Sequence, residues 1–196
     1  MRDAATQYDA VKTAVSGFIK GAEIVFKDYN EKDEIAIVII KVGMKGPTGF
    51  GSLLYDKILG DPNIHKGVIG DKPPFQPKPV IVEAAFDGLI IDATDHNFRP
   101  ALINRIFNPK GEALYDPSRI NQKVLVENGC GEYTNTVEKA KSVLALRGVK
   151  NPLIVKAEGA MSPSDLKVSE DDAVKIFSAD QRSNFLRDAK VAFVLK

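Results

Sequence analysis

Apolar residues recur at steps of four and three through the first segment: Ala4, Tyr8, Val11, Val15 and Phe18. That spacing places them on one face of a 3.6-residue period and predicts an amphipathic helix, closed by Gly21. Two β-prone runs follow, Glu23 to Tyr29 and Glu34 to Val42, joined by the turn-forming Asn30-Glu-Lys-Asp33. This pattern predicts a β-hairpin. Its second arm is apolar from Ile35 to Ile40. It therefore reads as a central strand covered on both faces, or covered on one with the other at an interface. The helix stripe would be buried on this sheet.

From 43 to 79 the periodicity breaks under a crowd of glycines and prolines, and only Phe50 to Leu59 predicts a short helix. A loop of this length is uncommon in a compact domain. It reads as a surface insertion, as a subdomain boundary, or as a lid over a ligand. Strand patterns resume over 80–86 and 89–92, around Asp87-Gly88. Asn104 to Phe107 and Ala113 to Tyr115 flank Asn108-Pro-Lys-Gly111, whose proline and glycine positions predict a tight hairpin. Residues 136–147 predict a helix ended by Gly148, 153–157 a strand, and 190–195 a closing strand. Ser169 and Ser178, each three residues before an acidic or amide side chain, predict the starts of two short helices, over 170–177 and 179–187. The resulting expectation is a single α+β domain over 1–196, with a mixed, mainly antiparallel sheet and helices packed on one face. The N-terminal hairpin and residues 80–196 are expected to share that sheet.

Composition narrows the function classes. The 196 residues carry 27 Lys and Arg against 26 Asp and Glu, for a formal net charge of +1. The basic residues are interspersed with acidic ones, which disfavours nucleic acid as a partner. One cysteine, Cys130, rules out an intramolecular disulfide framework. The longest apolar run, Ile35 to Ile40, is far short of the ~20 residues a spanning helix needs. The N-terminus lacks the apolar core of an export signal, so the protein is either cytoplasmic or exported with its signal removed.

The densest polar cluster is Asp92-Ala-Thr-Asp95-His96-Asn97-Phe-Arg99-Pro100, directly after an apolar strand. Strand ends fix side chains that loops expose, so such runs are places where sites form. Asp92, Asp95 and His96 offer oxygen and nitrogen ligands of the kind a divalent metal takes, and support a metal-dependent hydrolase as one reading. Their spacing matches no established metal motif. In the other reading the two aspartates accept backbone N–H groups in a turn and Arg99 pairs with one of them. Cys130 lies in Asn128-Gly-Cys-Gly131, a turn with few candidate bases in the chain. The glycines of Gly43 to Gly51 lack the Gly-Lys-Ser/Thr of a phosphate loop. The sequence therefore assigns no catalytic residue, no metal and no cofactor.

Several stretches resemble a known family. Phe86-Asp-Gly-Leu-Ile-Ile-Asp-Ala93, Arg99-Pro-Ala-Leu102, Arg105-Ile-Phe-Asn-Pro-Lys-Gly111 and Leu114-Tyr115 are similar to a recurring run in the Lpp-twenty-type bacterial lipoproteins. Asn151 to Ala157 and Val168 to Ala173 resemble its downstream segments. The likeness covers about 80–196, and the N-terminal part agrees in pattern only. This chain has Asp92-Ala-Thr-Asp95 where the family continues Asp-Ala-Arg-Gly, and it carries no cysteine for lipid attachment near its start. The resemblance implies an α+β domain exported to the periplasm, outer membrane or cell surface. It implies no catalysis, and a structural or protein-binding role with envelope proteins or a second copy of the chain as partner. Asp92, Arg99 and Arg105 fall on matching positions and, with Asp95 and His96, are the candidate binding residues. Contact with a membrane would come only through a lipid anchor. The alternatives are the hydrolase above and a small-ligand module lidded by 43–79.

Overall fold

A computed structural model describes residues 22–63, 66 and 72–196. The helix expected over residues 4–18 lies outside them, as does His65.

The elements run β1 (Glu23–Asn30), β2 (Ile35–Lys41), α1 (Phe50–Gly60), β3 (Gly88–Asp92), β4 (Arg105–Phe107) and β5 (Ala113–Tyr115). A 3-10 turn over Pro117–Arg119 leads to α2 (Gln122–Asn128), β6 (Glu132–Thr134), α3 (Val137–Ala145) and β7 (Pro152–Lys156). The chain closes with β8 (Gly159–Ser162), β9 (Asp165–Lys167), α4 (Glu170–Ser183) and β10 (Val191–Val194). The fold is α+β, with antiparallel and parallel pairing both present. The strands divide among three sheets instead of sharing one: β1-β2, β6-β10-β3-β7 and β5-β4-β9-β8.

The central sheet is parallel throughout. Alternation along its two middle strands sends side chains to opposite faces. Leu89, Ile91, Val191 and Phe193 enter the main core, with Leu153 and Val155 of β7, Ile106, Leu114 and Leu166 of the third sheet, and Ala173, Ile176 and Ala179 of α4. Ile90, Ala192 and Val194 meet Ala140 and Leu144 of α3 on the opposite face. Both faces of this sheet are thus covered, which is why Leu89 to Ile91 read as an unbroken apolar run. The helices sit on both sides of it, not on one face.

Local sequence accounts for several elements. Asn108-Pro-Lys-Gly111 makes the expected β4–β5 hairpin, with Gly111 at a φ of 78° that suits glycine. Thr136 caps α3 by accepting from the Lys139 N–H. Ser169 caps α4 by accepting from the Asp172 N–H, as its spacing predicts. Ser178 starts no second helix. It lies inside the continuous α4, where its hydroxyl donates to the Val174 carbonyl and accepts from the Val80 N–H. A mid-helix serine satisfies itself in this way when its hydroxyl bonds back one turn.

Residues 80–86 do not form the expected strand. The Val80 N–H goes to Ser178 and the Val82 carbonyl accepts from Arg182, so this segment is tied to α4 by side chains and not by a ladder. β2 is not central either. Among the described residues it pairs with β1 alone, and every residue of both strands is exposed.

Candidate functional site

Ligands gather at the carboxyl ends of strands in open parallel sheets, and the polar run after β3 starts there. Asp92 ends β3, and its Oδ1 accepts from the Thr94 N–H at 3.0 Å and the Thr94 hydroxyl at 2.7 Å. Asp95 is exposed and pairs with Lys156 at 2.7 Å. The hydrogen bond from Lys156, with its charge, lowers the Asp95 pKa, and the same contact raises that of Lys156. His96 Nε2 lies 3.0 Å from the Ala157 carbonyl oxygen, so that nitrogen carries the proton. The Arg99 N–H donates to the Pro163 carbonyl at 2.7 Å.

Asp92 therefore turns into its own loop, Asp95 turns outward to Lys156, and His96 turns back to the residue after β7. Asp95 and His96 line a shallow hollow that Asp92 does not reach, and the three share no common point. Lys156, not Arg99, pairs with Asp95. Among the described residues no group of three or more His, Cys, Asp or Glu side chains is gathered as a metal site.

Arg105 belongs to a different place. It faces Asp165 across the parallel β4–β9 register. Its Nε donates to Oδ1 at 2.8 Å and a terminal nitrogen to Oδ2 at 2.7 Å, a two-pronged ion pair largely removed from water. The guanidinium also lies 5.3 Å from the Phe107 ring centre. The Ser162 hydroxyl supplies a further bond to Asp165. The hydrogen bond to Asp165 raises the Arg105 pKa. With its donors turned to Asp165, this side chain holds two strands together.

A second polar cluster gathers residues that the sequence does not connect. Tyr55 on α1 donates to the Leu102 carbonyl at 2.8 Å, and the Cys130 thiol reaches the same oxygen at 3.3 Å. The Tyr133 hydroxyl sits between the Ala101 carbonyl and Asn104 Oδ1. Asn104 is fully buried and spends its amide on the Arg99 and Ser164 carbonyls. Burial raises the pKa of Tyr55 and Tyr133 and pushes the Cys130 thiol up to about 11. Cys130 is thus a small buried side chain and not an exposed turn thiol. Tyr55, Cys130 and Tyr133 line a half-open cavity of about 330 Å³, completed by Met44, Lys45, Pro100, Ala101, Leu102, Gly129 and Gly131. No periodicity or short motif links positions 44, 55, 102 and 133, which are joined only by the tertiary fold.

Residues 88–196, more than half of the chain, match the family model of the second domain of Treponema pallidum Tp0624. The chain belongs to this family. The Tp0624 second-domain match opens on Gly88, the first residue of β3, and takes in the central sheet, the third sheet, α2, α3 and α4. The hairpin β1–β2 and α1 precede it. The cavity therefore lies where the Tp0624-type domain meets the segment ahead of it. Among curated proteins none matches the chain.

Proposed function

We propose that the chain is a non-enzymatic protein-binding protein of the cell envelope that self-associates through the hairpin β1–β2. One observation carries the reading. Ile24, Val25, Phe26, Tyr29, Ile35, Ile37, Val38, Ile39 and Ile40 are each between 47% and 61% exposed. The pairing register puts Phe26, Ile35, Ile37 and Ile39 on one face and Ile24, Ala36, Val38 and Ile40 on the other. A two-stranded hairpin is marginal in water on its own, and contiguous exposed apolar surface marks an interaction site. The sequence places a single apolar stripe ahead of the hairpin, at Ala4, Tyr8, Val11, Val15 and Phe18. The hairpin presents two apolar faces, and a second copy of the chain offers apolar surface of the same kind to cover one of them. The envelope location rests on the resemblance of residues 80–196 to Lpp-twenty-type lipoproteins.

Single cysteines introduced at the two faces test this. Cys130 is buried and stays protonated at neutral pH, so an added thiol is the reactive one. Under mild oxidation either Ile37→Cys or Val38→Cys is expected to give a disulfide-linked dimer. Monomer from both variants contradicts the proposal.

A further inference from the structure

The cavity lined by Tyr55, Cys130 and Tyr133 has the features of a small-molecule site. Its volume, about 330 Å³, falls in the range of natural ligand pockets. For comparison, an apolar cavity of roughly 150 Å³ holds a benzene molecule. Met44, Pro100, Ala101 and Leu102 supply apolar wall, and three aromatic or sulfur-bearing side chains supply the polar groups.

The segment ahead of the Tp0624-type domain forms one side of the cavity and is held down at several points. The Gly46 N–H donates to the Val126 carbonyl at 2.9 Å. Lys45 Nζ reaches Glu132 at 2.9 Å and the Gly131 carbonyl at 3.2 Å. A Cβ on Gly49 would lie 2.4 Å from the Lys45 carbonyl oxygen, and one on Gly51 would lie 2.9 Å from the Tyr55 ring. The tight course that lays Met44 and Lys45 over the opening therefore requires glycine at both positions.

The hydrogen-bond directions decide what kind of molecule fits. Tyr55, Tyr133 and Cys130 give their protons to the Leu102 and Ala101 carbonyls and to Asn104. The sulfur is engaged by Tyr55, and what the two hydroxyls retain is lone pairs, which are acceptors. Lys45, the cation at the rim, is neutralised by Glu132. We propose that this half-open cavity binds a small, neutral ring compound bearing a hydrogen-bond donor, held between residues 44–55 and the Tp0624-type domain.

Indole and benzofuran serve as probes, since they match in size and only indole carries an N–H. With the whole chain, indole is expected to give a saturable calorimetric titration and to raise the thermal midpoint, because it binds the folded state. Benzofuran is expected to bind about fivefold more weakly, the effect of one neutral hydrogen bond. Leu102→Trp fills the cavity and is expected to abolish the indole heat. Met44→Trp does the same from the covering segment and serves where Leu102→Trp fails to fold. No indole binding up to its solubility limit overturns the proposal. Unchanged indole affinity in a folded filling variant overturns it as well, and equal affinity for the two probes overturns the choice of a donor-bearing ligand.

Discussion

Arg105 and Asp165 show how a residue singled out for binding serves the fold instead. Both charges are mostly withdrawn from water, so removing one strands the other in a poorly solvated place. Arg105→Ala is expected to cost about 3 kcal/mol in urea unfolding. The double variant Arg105→Met, Asp165→Leu is expected to recover most of that loss, since an apolar pair leaves no buried charge. Cys130 carries a pH prediction. Burial raises its thiol from an ordinary value of 9.0 to about 11, so the unfolded chain loses the proton first as pH rises. The stability tied to this group is complete below pH 9 and disappears as pH climbs through 11. Its size is on the order of 3 kcal/mol. The buried tyrosines add the same sign above about pH 10, their ordinary value. Cys130→Ser is therefore expected to flatten the fall between pH 9 and 10, followed by chemical denaturation. Asp92, Asp95 and His96 were legible as a polar run at a strand end, but sequence adjacency does not fix side-chain direction. Each finds a separate partner within its own loop or on β7 and the residue after it.

Element by element, what the sequence disclosed depended on how local the cause was. The β4–β5 turn, the cap at Ser169 and the helices at Phe50 and after Thr136 are written in a few neighbouring residues, and all were legible. The parallel central sheet was not, because its pairs join distant residues such as Leu89 with Val191. Strands β6 and β9 have three residues each, too few to show a period. Ser178 misled because its spacing to Gln181 imitates a capping pair, while burial against Val80 decides its role. Two substitutions separate the serines. Ser169→Ala removes a cap and is expected to cost about 1 kcal/mol. Ser178→Ala releases the Val80 N–H, and is expected to speed proteolysis within residues 80–86 more than Ser169→Ala does. Equal cleavage rates in the two variants would contradict that account.

On the scale of the whole molecule, two features lie outside the Tp0624-type domain and neither finds its explanation within it. One is α1 with the covering loop, which forms one side of the cavity. The other is the apolar hairpin, which among the described residues is a separate sheet exposed on both faces. Among the described residues no helix is long and apolar enough to cross a membrane, and the hairpin's apolar faces need another cover. A second copy of the chain is the cover proposed above. Light scattering coupled to size exclusion, across a range of concentrations, tests this most directly when the natural chain is run beside Ile37→Lys and Val38→Lys. The natural chain is expected to show a mass at least twice that of the monomer, and at least one lysine variant is expected to fall to monomer while keeping its circular dichroism. A natural chain that stays monomeric at every concentration, or an assembly untouched by both lysines, would contradict the account.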